Sequence, residues 1–173
     1  FYVREGTYTF NSEAPLIISS NVHMVLDDNA WLTRTGGVQH GMTIYGRLTG
    51  GIISPKGLSV ANTCFILLDR GGIMDNFTMF NSSGSNTGVN TTYQVIGITG
   101  TANQIVFGRF IDNALSPSGG GSPRMIFAAI GSRCKIQNCT FLRNSNGSSL
   151  IYSQSTNTVL ISNNEFVGNT MQT

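Results

Sequence analysis

Ile136-Gln137-Asn138-Cys139-Thr140-Phe141-Leu142-Arg143-Asn144 is the stretch that decides the fold. Its frame, Ile-x-x-x-x-Phe-x-x-Asn, returns as Ile105, Phe110, Asn113 and as Ile161, Phe166, Asn169; a degenerate earlier copy reads Ile73, Thr78, Asn81. The copies begin 32, 31 and 25 residues apart, and the position after the Phe is apolar each time, as Met79, Ile111, Leu142 and Val167. Self-similarity at a spacing of about 20–50 residues marks a stacked-repeat architecture. In parallel strands about 4.8 Å apart, each residue lies over its counterpart one repeat earlier. The frame therefore predicts interior columns of Ile over Ile and Phe over Phe. Asn138 and the Asn163-Asn164 pair mark a tight corner, because Asn tolerates the left-handed conformation. The closing column, Asn81, Asn113, Asn144 and Asn169, predicts a ladder in which each side-chain amide bonds to the next repeat.

The repeats differ in length through insertions that leave from one register: residues 82–92 (SSGSNTGVNTT), 114–123 (ALSPSGGGSP) and 145–149 (SNGSS). These loops are expected on one flank of a single domain. In the N-terminal third, Val22, Met24 and Leu26 alternate up to a turn at Asp27-Asp28-Asn29, with Ala30 and Leu32 after it. Met42 and Ile44 then meet a Tyr45-Gly46 corner before Leu48; the 18 residues from Leu26 to Ile44 suggest shorter coils here. The expected fold is all-β: a single-stranded right-handed parallel β-helix of about six to seven coils over residues 1–173.

Composition agrees. Charged residues are 10% of the chain, against roughly 25% in ordinary globular proteins, and Gly, Ser, Thr and Asn take their place. That mixture disfavours helices, while a hydrophobic content of 40% argues against disorder. The net charge is +2, with eight Arg and two Lys scattered along the chain; without a dense basic face, nucleic acid is not expected as a partner. Apolar runs such as residues 64–68 are far shorter than a bilayer span, so no membrane insertion is expected. The start at Phe1, with no signal peptide, leads us to expect a piece of a longer chain. Cys64, Cys134 and Cys139 have no zinc spacing. They read as structural thiols, with a Cys134–Cys139 disulfide across a turn as the alternative. No metal and no cofactor is expected.

Val3-x-x-Gly6-Thr7-Tyr8-Thr9-Phe10, then Ile17-Ile18-x-x-Asn21-Val22 and the Asp27-Asp28-Asn29-Ala30 turn, resembles the opening coils of the pectate-lyase superfamily, an opening shared by phage tailspikes and tail appendages. Ile-x-Asn-Asn-x-Phe-x-Gly-Asn at 161–169 is similar to later coils of the same group. The resemblance implies the fold. For function it implies lyases, hydrolases, esterases and non-catalytic receptor binders alike.

The residues themselves offer no self-contained catalytic set. A glycosidase needs two carboxylates flanking the scissile bond, and the chain has eight acids. Asp27 and Asp28 shape a turn, Asp69 precedes its own partner Arg70, and Asp75 and Asp112 fall in different columns. His23 and His40 have no acid or Ser beside them in sequence. Asp112 and Arg143 share a column in neighbouring coils, which predicts an ion pair. With Tyr93, Asn90 and Arg124 beside the aligned loops, they are candidate substrate-binding residues for a glycan, and Arg suits an anionic one. Three functions stay open: a viral tailspike or appendage that displays loops to host-surface polysaccharide, commonly as a homotrimer on the virion surface or outside the cell; a polysaccharide lyase or glycoside hydrolase, its catalytic residues unknown; and a structural solenoid or adhesin segment.

Overall fold

The computed structural model describes residues 1–10, 15–35, 41–56, 64–85, 94–116 and 123–171. Among them every regular element is a strand. The first stretch of chain supplies β1 (Tyr2–Val3), β2 (Gly6–Phe10) and β3 (Leu16–Ile18); the second β4 (His23–Thr35) and β5 (Met42–Ile44); the third β6 (Arg47–Lys56) and β7 (Cys64–Asp69). The fourth carries β8 (Ile73–Asp75), β9 (Thr78–Phe80), β10 (Ser83–Ser85) and β11 (Gln94–Thr99). The fifth carries β12 (Asn103–Val106), β13 (Arg109–Ile111), β14 (Ala114–Ser116) and β15 (Arg124–Ala128). The sixth carries β16 (Arg133–Gln137), β17 (Thr140–Leu142), β18 (Ser145–Asn146) and β19 (Ser149–Ser153), and the last β20 (Thr158–Ser162), β21 (Glu165–Val167) and β22 (Thr170–Met171).

Each stretch pairs in parallel with the next. Gly6 lies opposite Ala30, Arg47 opposite Ile73, Gln104 opposite Lys135, and Lys135 opposite Leu160. Three sheets result. One runs β20-β16-β12-β8-β6-β9-β13-β17-β21 with β4, β1 and β2 joined through β6; the others run β10-β14-β18-β22 and β19-β15-β11-β7-β5-β3. This all-β, helix-free arrangement of parallel sheets is compatible with a parallel β-helix. In the large sheet β6 bends at Gly50 and Gly51 (φ 82° and 72°), opposite a register shift in β4 between Leu26 and Trp31. A Cβ at Gly50 would sit 2.4 Å from the Leu26 carbonyl oxygen, so the two backbones approach there only because the residue is Gly. The bend gives β6 two limbs, one pairing with β8 and the other with β9.

The motif columns form the core. Ile105 pairs with Ile136 and Ile136 with Ile161. The rings of Phe110, Phe141 and Phe166 stack at 4.6 and 4.8 Å with interplanar angles of 3° and 5°, which is the strand spacing itself. Phe110 and Phe141 are fully buried; Phe166, in the last stretch, is half exposed. The corner falls where Asn was expected to make it: Asn138 and Asn163 are left-handed, at φ 55° and 54°. The amide ladder forms too. The Asn144 side-chain oxygen accepts from the Asn113 backbone N–H (3.2 Å) and amide (2.8 Å), and that of Asn169 accepts from the same groups of Asn144 (both 2.9 Å).

Four details depart from the sequence reading. The earliest motif copy slips by one residue, with Met74, Met79 and Phe80 opposite Ile105, Phe110 and Ile111. Ser82, not Asn81, therefore heads the ladder, donating its backbone N–H to Asn113 Oδ1 at 2.8 Å; Asn81 is an exposed left-handed corner residue. The early coils are not short, since Leu26 lies opposite Gly50 and Ile44 opposite Leu68. Asp27-Asp28-Asn29 does not end a strand but is a bulge within β4, where the Asn29 N–H bonds Asp27 Oδ1 at 3.0 Å. Finally, the stretches after Asn113 and Asn144 begin as strands β14 and β18, and the one after Asn81 begins at Ser82 and continues into β10. The common register of the three is real; residues 86–93 and 117–122 within them lie outside the described residues.

All three cysteines are free and buried, so no Cys134–Cys139 disulfide forms. Burial pushes the Cys64 thiol up to about 12 and the Cys134 thiol up to about 11.

Candidate functional site

Asp112 and Arg143 meet as their shared column predicts. Arg143 Nε and Nη2 donate to the two Asp112 carboxylate oxygens at 2.7 and 2.8 Å. Hydrogen bonding from Arg143 holds the Asp112 carboxyl below the usual carboxylate range, and Asp112 in turn raises Arg143. Both residues sit in the left-handed region, at φ 53° and 50°, at the corner just before the short sheet of β14 and β18.

Arg124 is placed elsewhere, on the outer face of the sheet formed by β7, β11, β15 and β19. Its guanidinium carbon stands 3.7 Å from the Tyr152 ring centroid and 4.9 Å from that of Phe127. The two rings are one strand apart and stack at 5.9 Å and 12°. One strand the other way, Phe127 faces Gly97, which faces Leu67. A Cβ at Gly97 would sit 2.9 Å from Cys64 Sγ and 3.2 Å from Gln94 Oε1, so this column has a notch where its neighbours have side chains. The notch opens a groove of about 540 Å³ bordered by Gln94, Thr99, Arg124, Phe127 and Gln154. Partial burial lowers the Arg124 guanidinium from its ordinary value, with the neighbouring Tyr152 opposing. A cation over aromatic faces beside amide and hydroxyl groups can hold a polar ring and its anionic substituent.

The groove that Arg124 enters is not lined by Asp112 or Arg143, so the structure separates these three candidates into two places. Tyr93 and Asn90 lie outside the described residues. Phe127, Tyr152 and Gly97 were not singled out from the sequence. Their signal was an aromatic pair in outward register, obscured because β15 and β19 pair 25 residues apart while β11 and β15 pair 30 apart.

A second groove, of about 580 Å³, opens beside the bend in β6 and includes Asp28, Trp31, Asn76, Phe80, Phe107 and Arg109 in its wall. Trp31 and Phe80 meet edge to face, with centroids 6.1 Å apart at 81°.

The remaining acids have structural partners. Asp75, nearly buried, takes Arg47 Nε at 2.5 Å; Asp69 pairs with Arg70 at 3.4 Å; Asp27 accepts the Tyr2 hydroxyl at 2.7 Å. Among the described residues no group of three His, Cys, Asp or Glu side chains is placed to hold a metal ion. No protein-family model matches the chain, and neither the curated proteins nor the solved structures contain a significant match to it.

Proposed function

We propose that the parallel sheets belong to one right-handed β-helix of the pectate-lyase-like kind, and that the chain is a tailspike- or appendage-like shaft recognising acidic host-surface polysaccharide. Strand-to-strand advances of about one repeat support a single winding, and parallel crossover connections are right-handed in nearly all proteins. The observation that carries the binding reading is Arg124 over Tyr152 and Phe127 beside the Gly97 notch. An aromatic platform takes the apolar face of a sugar ring, while the guanidinium takes its carboxylate or sulfate. The Asp112–Arg143 pair and Tyr93 stand in this proposal as additional contacts along the loop-bearing flank. Homotrimer formation and a place on a virion surface or outside the cell belong to the same proposal.

The test is calorimetric titration with acidic oligosaccharides, oligogalacturonate and a sulfated glycan among them, against the wild type and Arg124→Ala. Binding that weakens about tenfold in the variant supports the reading; no binding, or binding indifferent to Arg124, overturns it. Release of reducing ends or of unsaturated uronate during the titration would add depolymerase activity. Sedimentation giving a monomer at high concentration would remove the trimer.

A further inference from the structure

The first corner of each later repeat is made by a left-handed residue, and the column reads Asn76 (φ 51°), Phe107 (φ 53°), Asn138 (φ 55°), Asn163 (φ 54°). Asn suits that conformation because its short side chain tolerates it, whereas a bulky aromatic residue there is a genuine outlier. Phe107 gains nothing visible in return. Its side chain is 57% exposed, and among the described residues its ring makes no contact with another ring. Arg143 at the following corner is equally out of place at φ 50°, but it is compensated by the two bonds to Asp112. A residue that breaks a local backbone rule without a packing reward points to function.

What Phe107 does instead is help to wall the groove beside the β6 bend, together with Trp31, Phe80, Asp28, Asn76 and Arg109. Asp28 and Arg109 are both exposed, and among the described residues neither has an ion-pair partner. The groove thus offers aromatic surface together with one carboxylate acceptor and one guanidinium donor whose charges cancel. It spans strands of four successive repeats, on the order of 14 Å along the stack. We propose that this groove binds a neutral pyranose chain, with Phe107 as its exposed aromatic anchor. The C–H faces of the sugar rings lie on Phe107 and Trp31, and hydroxyls bridge Asp28 and Arg109. A polyanion is disfavoured here by Asp28, in contrast to the Arg124 groove, and the proposal stands independently of that one.

Trp31 is the only tryptophan in the chain, so its emission reports on this groove and not on the other. Titrate the protein with cellohexaose, maltohexaose, xylohexaose and oligogalacturonate while following tryptophan fluorescence. A saturable change with at least one neutral oligosaccharide is expected. Phe107→Asn, which restores the residue of the neighbouring corners, should weaken that binding about tenfold or more while the melting temperature holds or rises. Arg109→Ala should weaken it as well, and Arg124→Ala should leave it unchanged. The proposal fails if no neutral oligosaccharide alters the emission, if only the acidic one does, or if Phe107→Asn titrates like the wild type. None of these outcomes bears on acidic-glycan binding through Arg124, which is read separately by calorimetry.

Discussion

Asp112 and Arg143 are 31 residues apart in sequence and one strand apart in space, each left-handed, joined by two parallel hydrogen bonds of 2.7 and 2.8 Å. The pair forms because in-register parallel stacking places a residue over its counterpart one repeat away. It is exposed, so its effect on stability is small and screened by salt. Its sign with pH is nonetheless fixed. Asp112 has a lowered folded pKa, so its contribution is present above the ordinary aspartate value near 3.9 and is lost as the pH falls through the folded value. Urea midpoints of wild type and Asp112→Asn should differ at neutral pH and converge at about pH 2. A difference that persists in acid would mean the effect of the substitution is not the ion pair.

Asn144 is the middle of the amide ladder. Its oxygen takes two donors from Asn113, and its amide donates to the Phe110 carbonyl and to Asn169 Oδ1, at 2.9 Å each. Asn144→Ala removes these bonds and strands buried groups on both neighbours, at a cost of about 2–4 kcal/mol. Asn81→Gly, at an exposed left-handed corner outside the ladder, should change stability by less than about 0.5 kcal/mol. Chemical denaturation of the two variants checks the contrast; equal effects would show that the ladder does not stabilise the stack.

Phe141 lies between two stacked rings and is fully buried, while Phe166 is half exposed. Phe141→Ala should cost roughly 3–5 kcal/mol, and Phe166→Ala less than half of that, because its site stays partly in water and leaves no closed cavity. Thermal melts of both variants test the gradient.

Burial raises the Cys64, Cys134 and Cys139 thiols. At about pH 8 a thiol reagent should label none of them in the native protein and all three in urea, because both the thiolate and access to it are lacking. A raised folded pKa also means that this contribution to stability is complete below the unfolded cysteine value near 8.5 and is lost as the pH rises from there towards the folded values. Stability measured between about pH 8 and 10 should therefore fall; rapid native labelling would show that one thiol is not buried in solution.

The sequence by itself determined the repeat, the Ile and Phe columns, the left-handed Asn138 and Asn163, the Asn113–Asn144–Asn169 ladder and the Asp112–Arg143 contact. All follow from one rule, that a fixed sequence interval becomes vertical contact in parallel strands, and all lie where the interval is the same for every element of the repeat. Tertiary structure decided the rest, because there the rule loses its input. The slip to Met74, Met79 and Ser82 depends on a one-residue change of interval that apolar substitutions conceal. The bulge at Asp27-Asp28-Asn29 depends on the close approach of Gly50 to Leu26. Arg124 meets Tyr152 only because the corner after Asn144 is shorter than the one before it, which resets the outward register. Outward columns carry no apolar periodicity to announce themselves, so both grooves came from coordinates. Only there did Phe107, one letter out of place among asparagines, become an exposed ring beside Trp31.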